Sequence, residues 1–131
     1  MTDVFLHNPR CSKSRAALEL VREAGVELPV REYLRDPLSA EELSRIVTML
    51  GVRPIEIVRR TEAPYAALGL SDTTPDDEVL RAMAENPILI ERPIIIRGNR
   101  AVVGRPPETV REILWRASHY VQATRLSPLR N

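Results

Sequence analysis

The spacing of apolar residues changes several times along the chain, and each change marks an element. Val4 to Leu6 is a short apolar run that reads as a buried strand, and Asn8-Pro9 ends it in a turn. From Ser14 the apolar positions Ala17, Leu18, Val21 and Ala24 recur at helical spacing until Gly25 stops them. Pro29 to Leu34 then alternates with period two and predicts a second strand. Ser39 and Glu42 have the spacing of a capping box. The helix they open buries Leu43, Ile46, Val47 and Leu50 and ends at Gly51. A shorter helical segment is expected from Pro54 to Arg60, with Ile55 and Val58 on one side. Thr61 to Asp72 carries Pro64 and Gly69 and reads as a loop or a single turn. Thr74-Pro75-Asp76-Asp77 starts another helix, with Val79, Leu80 and Met83 inward, and Asn86-Pro87 closes it.

Downstream, Pro93 to Arg97, then Gly98-Asn99, then Arg100 to Gly104 predict a hairpin on a two-residue turn. Pro106-Pro107 opens a last helix with Val110, Ile113 and Leu114 inward, and the pattern fades after Ser118. The order is therefore βαβ, a helical insertion over about residues 38–86, and ββα. That order predicts an α/β protein with a thioredoxin-like fold and a mixed four-stranded sheet. One domain is expected over residues 1–118, followed by a tail over 119–131. Pro93 stands just before the third strand, where that fold has a proline that is often cis.

Composition narrows the class. At 131 residues and 44% hydrophobic, the chain can form one real core. No apolar stretch approaches a membrane span, and no secretory signal is visible. The formal net charge of +1 gives no general attraction to nucleic acid or membrane, so neither is expected as a partner. The charge is uneven, with eight arginines from Arg92 onward against Glu108 and Glu112. No metal-ligand cluster is visible. A single cysteine cannot form an internal disulfide, which points to a reducing cytoplasm.

That cysteine, Cys11, lies between the first strand and the first helix. The first N–H groups of a helix lack intrahelical partners, and with the helix dipole they favour thiolate over thiol. Arg10, Lys13 and Arg15 add positive charge, and His7 adds more when protonated. A free cysteine is more often buried and inert, but a proline turn and three cations favour a reactive one. A CxxC motif would need cysteine at Ser14, so any redox cycle must take its second thiol from outside.

Four co-ordered motifs carry a family resemblance. They are His7-Asn8-Pro9-Arg10-Cys11-Ser12-Lys13-Ser14-Arg15; Arg59 with Pro64-Tyr65 and Leu68-Gly69-Leu70; Asn86-Pro87-Ile88-Leu89-Ile90-Glu91-Arg92-Pro93; and Gly104-Arg105-Pro106. Over roughly residues 3 to 115 the chain resembles the ArsC family of glutaredoxin-linked arsenate reductases. The resemblance implies Cys11 as nucleophile, His7 as the group that lowers its pKa, and Arg59, Arg92 and Arg105 as oxyanion ligands. Ser14 and Arg15, inside the cysteine motif, join the candidate substrate-binding set. Arg60 could replace Arg59 if the helix phase differs by one residue, although the Pro64-Tyr65 frame favours Arg59. Arsenate is a tetrahedral dianion near neutral pH, and guanidinium groups suit it through paired N–H donors. The resemblance also implies glutathione as co-substrate, glutaredoxin as partner and no bound cofactor. Arg10 and Ser12-Lys13-Ser14 depart from the small residues that flank the cysteine in the best-known members.

Three other classes compete. A glutathione-linked thiol oxidoreductase of unknown substrate keeps the same cysteine chemistry. An Spx-like transcriptional regulator shares the fold, but its redox-sensing members use the CxxC that Ser14 removes. A phosphatase-like arsenate reductase needs arginine six positions after the nucleophile, and that position is Ala17.

Overall fold

A computed structural model describes residues 1–114. The expected end of the domain at 118 and the 119–131 tail lie outside the described residues. The sheet has four strands: β1 (Val4–His7), β2 (Val30–Glu32), β3 (Ile94–Arg97) and β4 (Arg100–Val103). Their spatial order is β2-β1-β3-β4, with β1 parallel to β2 and antiparallel to β3, and β3 antiparallel to β4. This is the mixed thioredoxin-like sheet that the order of elements predicts.

Both faces of the sheet are covered, which explains why its central strands are apolar without interruption. Val4, Leu6, Ile94 and Ile96 point to one face, into a core shared with the helical insertion. Phe5 and Ile95 point to the other, against Ala17, Leu18 and Val21 of α1 (Ser12–Glu23) and against Val110 and Ile113. Each fully buried Ile or Phe contributes about 1.5–3 kcal/mol. A one-residue slip of either central strand would exchange the two faces. Ala24, expected on the apolar stripe, lies past the helix end and is exposed.

β2 is shorter than its alternation suggests. Tyr33 and Leu34 turn away from it, where the N–H groups of Arg35 and Asp36 both donate to the Glu32 carbonyl at 2.9 Å. Tyr33 is nevertheless buried. The insertion opens with α2 (Ala40–Leu50), and its capping box forms as expected: Ser39 Oγ accepts from Glu42 N–H, and Glu42 accepts from Ser39 N–H. The same Glu42 pairs with Arg31 at 2.8 Å and ties the helix start to β2. α3 (Ala63–Ala67) and α4 (Asp76–Glu85) complete the insertion.

The segment expected to be helical from Pro54 to Arg60 is a 3-10 turn only over Pro54–Ile57. Val58 instead forms an antiparallel bridge with Ile90. Arg59 N–H donates to Leu89 O at 2.7 Å, and Glu91 N–H donates to Ile57 O at 2.8 Å. Those bonds satisfy backbone groups that a continued helix would have satisfied internally, and they fasten the insertion to the segment before β3.

The hairpin between β3 and β4 turns on Gly98-Asn99, with Gly98 at φ 61°. Positive φ at only the first turn position is the type II′ pattern, which glycine permits. At the far end of β4, a Cβ on Gly104 would lie 2.9 Å from Pro93 Cγ and 3.0 Å from Val110 Cγ1. The missing side chain lets Gly104 N–H donate to Pro93 O at 2.8 Å. That contact brings Arg105 beside Arg92. Both Arg92-Pro93 and Arg105-Pro106 are cis, the first at the proline expected to be so. A 3-10 turn (Pro107–Val110) and α5 (Arg111–Leu114) follow. No helix among the described residues is long and apolar enough to cross a membrane.

Candidate active site

Cys11 is the N-cap residue of α1, with extended backbone angles of φ −93° and ψ 121°. The turn before it is held locally. Cys11 N–H donates to Asn8 O at 3.0 Å, Arg10 N–H donates to Asn8 Oδ1 at 3.0 Å, and Arg15 N–H donates to Cys11 O at 3.0 Å. Beneath the turn Ser14 is fully buried, and its Oγ accepts from Asn8 N–H at 3.1 Å. The same hydroxyl is hydrogen-bonded to His7 Nδ1 at 2.7 Å.

Two of the candidate substrate-binding residues have their side chains engaged within the turn. The Ser14 hydroxyl faces inward and is engaged by His7 and Asn8, because Ser14 falls on the buried stripe of α1. The Arg15 side chain is exposed, and its Nη1 donates to Pro9 O at 2.8 Å, bracing the turn from outside. Only the backbone N–H of Ser14 turns toward the thiol.

Burial pushes the Cys11 thiol up, but opposing effects outweigh it and leave the pKa lowered. They are the Ser14 N–H, the Arg92 side chain, the Lys13 N–H and the charge of Arg92. The sulfur makes no capping hydrogen bond of ordinary geometry, so those N–H groups act on it mainly as oriented dipoles. The effective cation is Arg92, distant in sequence, rather than the Arg10, Lys13 and Arg15 charges that the sequence suggests. His7 differs from expectation too. Burial lowers its pKa, with Glu32 opposing and Arg22 and Arg15 assisting. A neutral imidazole supplies no charge to the thiol, and its contact with the site runs through Ser14.

Across from the turn, Arg59, Arg92 and Arg105 come together. Arg105 Nη1 lies 3.8 Å from Cys11 Sγ and donates to Arg92 O at 3.5 Å. Its Nε pairs with Glu91 Oε1 at 3.3 Å. Arg59 Nη1 pairs with that same Oε1 at 3.2 Å, and its Nε pairs with Glu62 at 3.4 Å. Arg60 instead points outward to Asp72 and Tyr65, so the structure selects Arg59 for the cluster. Arg92 is 8% exposed and donates from Nη1 to Ile88 O at 3.4 Å. Of the three arginines, only Arg92 has no carboxylate partner among the described residues.

Two residues at this cluster escaped the sequence reading. Glu91 lay inside a quoted motif without a role; its only signal was an acid between buried Ile90 and Arg92. Tyr33 ends the alternating run of β2. It is 1% exposed, and neither its hydroxyl nor Arg92 Nε has a partner among the described residues. Burial pushes the Tyr33 pKa up to about 12, with the charges of Arg92, Cys11, Arg59 and Glu91 all within range. A buried phenol of that kind stays protonated, so its O–H can donate into the site and its oxygen can still accept.

The ArsC family model matches residues 6–113. The chain is 46% identical over 110 residues to the uncharacterized protein YfgD of Escherichia coli K12, covering 82% of this chain and 92% of that one. It is 41% identical over 115 residues to the arsenate reductase of Rhizobium meliloti, with 87% and 82% covered. It superposes on an arsenate reductase from Vibrio cholerae with a TM-score of 0.81 at 43% identity, over 86% of this chain and 98% of that one. With the family match running from within β1 through β4 and including both halves of the site, the chain belongs to the ArsC family.

Proposed function

We propose that the chain reduces arsenate to arsenite, with Cys11 as nucleophile and with glutathione and glutaredoxin as external thiols. One observation carries the reading: Arg105 Nη1 stands 3.8 Å from the sulfur of an N-cap cysteine. Nucleophile and guanidinium are thus close enough to act on one oxyanion together. The resemblance to proteins named arsenate reductase supports the substrate.

The cycle balances with one protein thiol. The Cys11 thiolate attacks arsenic, an As–O bond breaks, and the protonated oxygen leaves as water. Arg92 and Arg105 stabilise the negative oxygens that remain. Glutathione then loses its thiol proton and bonds to arsenic, and a second oxygen leaves as water. A glutaredoxin thiolate attacks the glutathione sulfur, and a disulfide forms between those two. The electron pair of the As–S bond stays on arsenic, which passes from As(V) to As(III). Hydrolysis of the Cys11–As bond releases arsenite and restores the thiol. Both electrons come from external thiols, so no second cysteine is required and no bound cofactor takes part. The cycle needs a reducing thiol pool, such as the cytoplasm provides.

The test is arsenate-dependent NADPH oxidation coupled through glutathione, glutathione reductase and glutaredoxin. Turnover in that system and little with thioredoxin alone is the expected result. Equal turnover with thioredoxin in glutathione-free buffer would overturn the thiol assignment. A glutathione adduct on Cys11 without any arsenate-dependent turnover would leave a thiol oxidoreductase of another substrate.

A further inference from the structure

Glu91 places one carboxylate oxygen where the arginines converge. Its Oε1 lies 3.2 Å from Arg59 Nη1, 3.3 Å from Arg105 Nε and 3.3 Å from the Arg92 backbone nitrogen. Such a set of donors suits one oxygen of a tetrahedral oxyanion. Arg105 also reaches Cys11 Sγ through Nη1, so a single guanidinium faces the carboxylate on one side and the thiol on the other. The carboxylate is held in position from behind, since Glu91 N–H donates to Ile57 O at 2.8 Å beside the Val58–Ile90 bridge.

We propose that Glu91 is a resident anion that occupies this site in the free protein and weakens its reversible binding of oxyanions. Arg59 and Arg105 share the single negative charge of Glu91 in the free protein, and an incoming dianion must share or displace it. The inference rests on the reading of the three arginines as an oxyanion site. Reversible binding is weakened for every tetrahedral dianion of this size, because Coulomb repulsion depends on charge rather than on the central atom. Phosphate and sulfate, which have arsenate's shape, are therefore held poorly. An anion whose central atom bonds to the Cys11 sulfur is retained by that bond as well. The carboxylate thus lowers noncovalent occupancy for reactive and unreactive oxyanions alike, and only the bond to sulfur distinguishes them.

The experiment measures sulfate binding calorimetrically at fixed ionic strength, with protection of Cys11 from iodoacetamide as a second readout. Glu91→Gln keeps the length and one accepting oxygen but removes the charge. It is expected to tighten sulfate binding on the order of tenfold, the effect of about 1.4 kcal/mol. The gain for the monoanion nitrate is expected to be roughly half as large on a logarithmic scale, since repulsion scales with ligand charge. Adding Arg105→Ala to Glu91→Gln should cancel the sulfate gain. Glu62→Gln, which reaches Arg59 alone at 3.4 Å, should give a smaller gain and serves if Glu91→Gln does not fold. Unchanged or weaker sulfate binding in Glu91→Gln, with Arg105 still required, overturns the inference and leaves the oxyanion site standing. Equal gains for sulfate and nitrate, or from Glu62 and Glu91, overturn it as well. Failure of every variant to bind sulfate removes the oxyanion site and this inference together.

Discussion

The cysteine turn draws its hydrogen bonds from residues 7–15, whereas the arginine cluster is assembled from residues 59–62, 88–92 and 105. In the turn every partner lies within seven positions of its donor or acceptor, and buried Ser14 joins the strand to the helix. The cluster spans separations of 32 residues for Arg59–Glu91 and 94 for Arg105–Cys11. A turn built from neighbours can form as soon as β1 and α1 meet. The cluster exists only after the insertion has bridged onto the segment before β3 and the hairpin has closed. Reactivity of the sulfur depends on both, because the local N–H groups and the distant Arg92 jointly outweigh burial.

The two halves should therefore separate under mutation. Cys11→Ser removes the nucleophile and is expected to abolish thiol-dependent turnover while the sulfate site persists. Residual arsenate-dependent NADPH oxidation in that variant would break the assignment. Arg92→Ala and Arg105→Ala attack the distant half and should each weaken oxyanion binding by about 1.5–3 kcal/mol, the range for charge-assisted contacts. Arg92→Ala should also change the pH profile of alkylation. The native thiol is expected to react with a midpoint below the value of about 8.5 for a free cysteine. Loss of the Arg92 charge removes stabilisation of the thiolate, so the midpoint rises and the rate at neutral pH falls. Arg15→Ala should leave the midpoint in place, and a larger shift from Arg15 than from Arg92 would reverse the comparison.

Smaller effects sharpen it further. Gly104→Ala forces a Cβ against Pro93 and Val110 and should cost about 1–3 kcal/mol in chemical denaturation, the usual range for overpacking. Its effect on oxyanion binding should exceed its effect on the alkylation midpoint, since Arg105 moves first. Ser14→Ala leaves His7 Nδ1 and Asn8 N–H without their shared partner and should cost about 1–2 kcal/mol, with sulfate binding retained. Tyr33→Phe deletes a buried hydroxyl without a partner, so stability should stay within about 0.5 kcal/mol or rise. A loss above that would show that the hydroxyl is bonded in the folded protein.

The sequence by itself determined the sheet and the cysteine turn, because both follow from short-range rules. The apolar runs Val4–Leu6 and Ile94–Ile96, the Ser39–Glu42 capping box and the Gly98-Asn99 turn each fix backbone within a few residues. So does the place of Cys11 at a helix start. The tertiary structure alone decided how charges pair. Among eighteen arginines, no periodicity distinguishes Arg59, which reaches Glu91, from Arg60, which turns to Asp72. The Pro64-Tyr65 motif frame favours Arg59, and the physical cause is the Val58–Ile90 bridge, a contact whose partners are far apart in the chain. The same applies to Ser14, Arg15 and His7, whose residue types suit a substrate or a cation but whose contacts depend on which face is buried. Charge acts through space and falls with distance, so a sequence that names every ion still leaves open which ones meet.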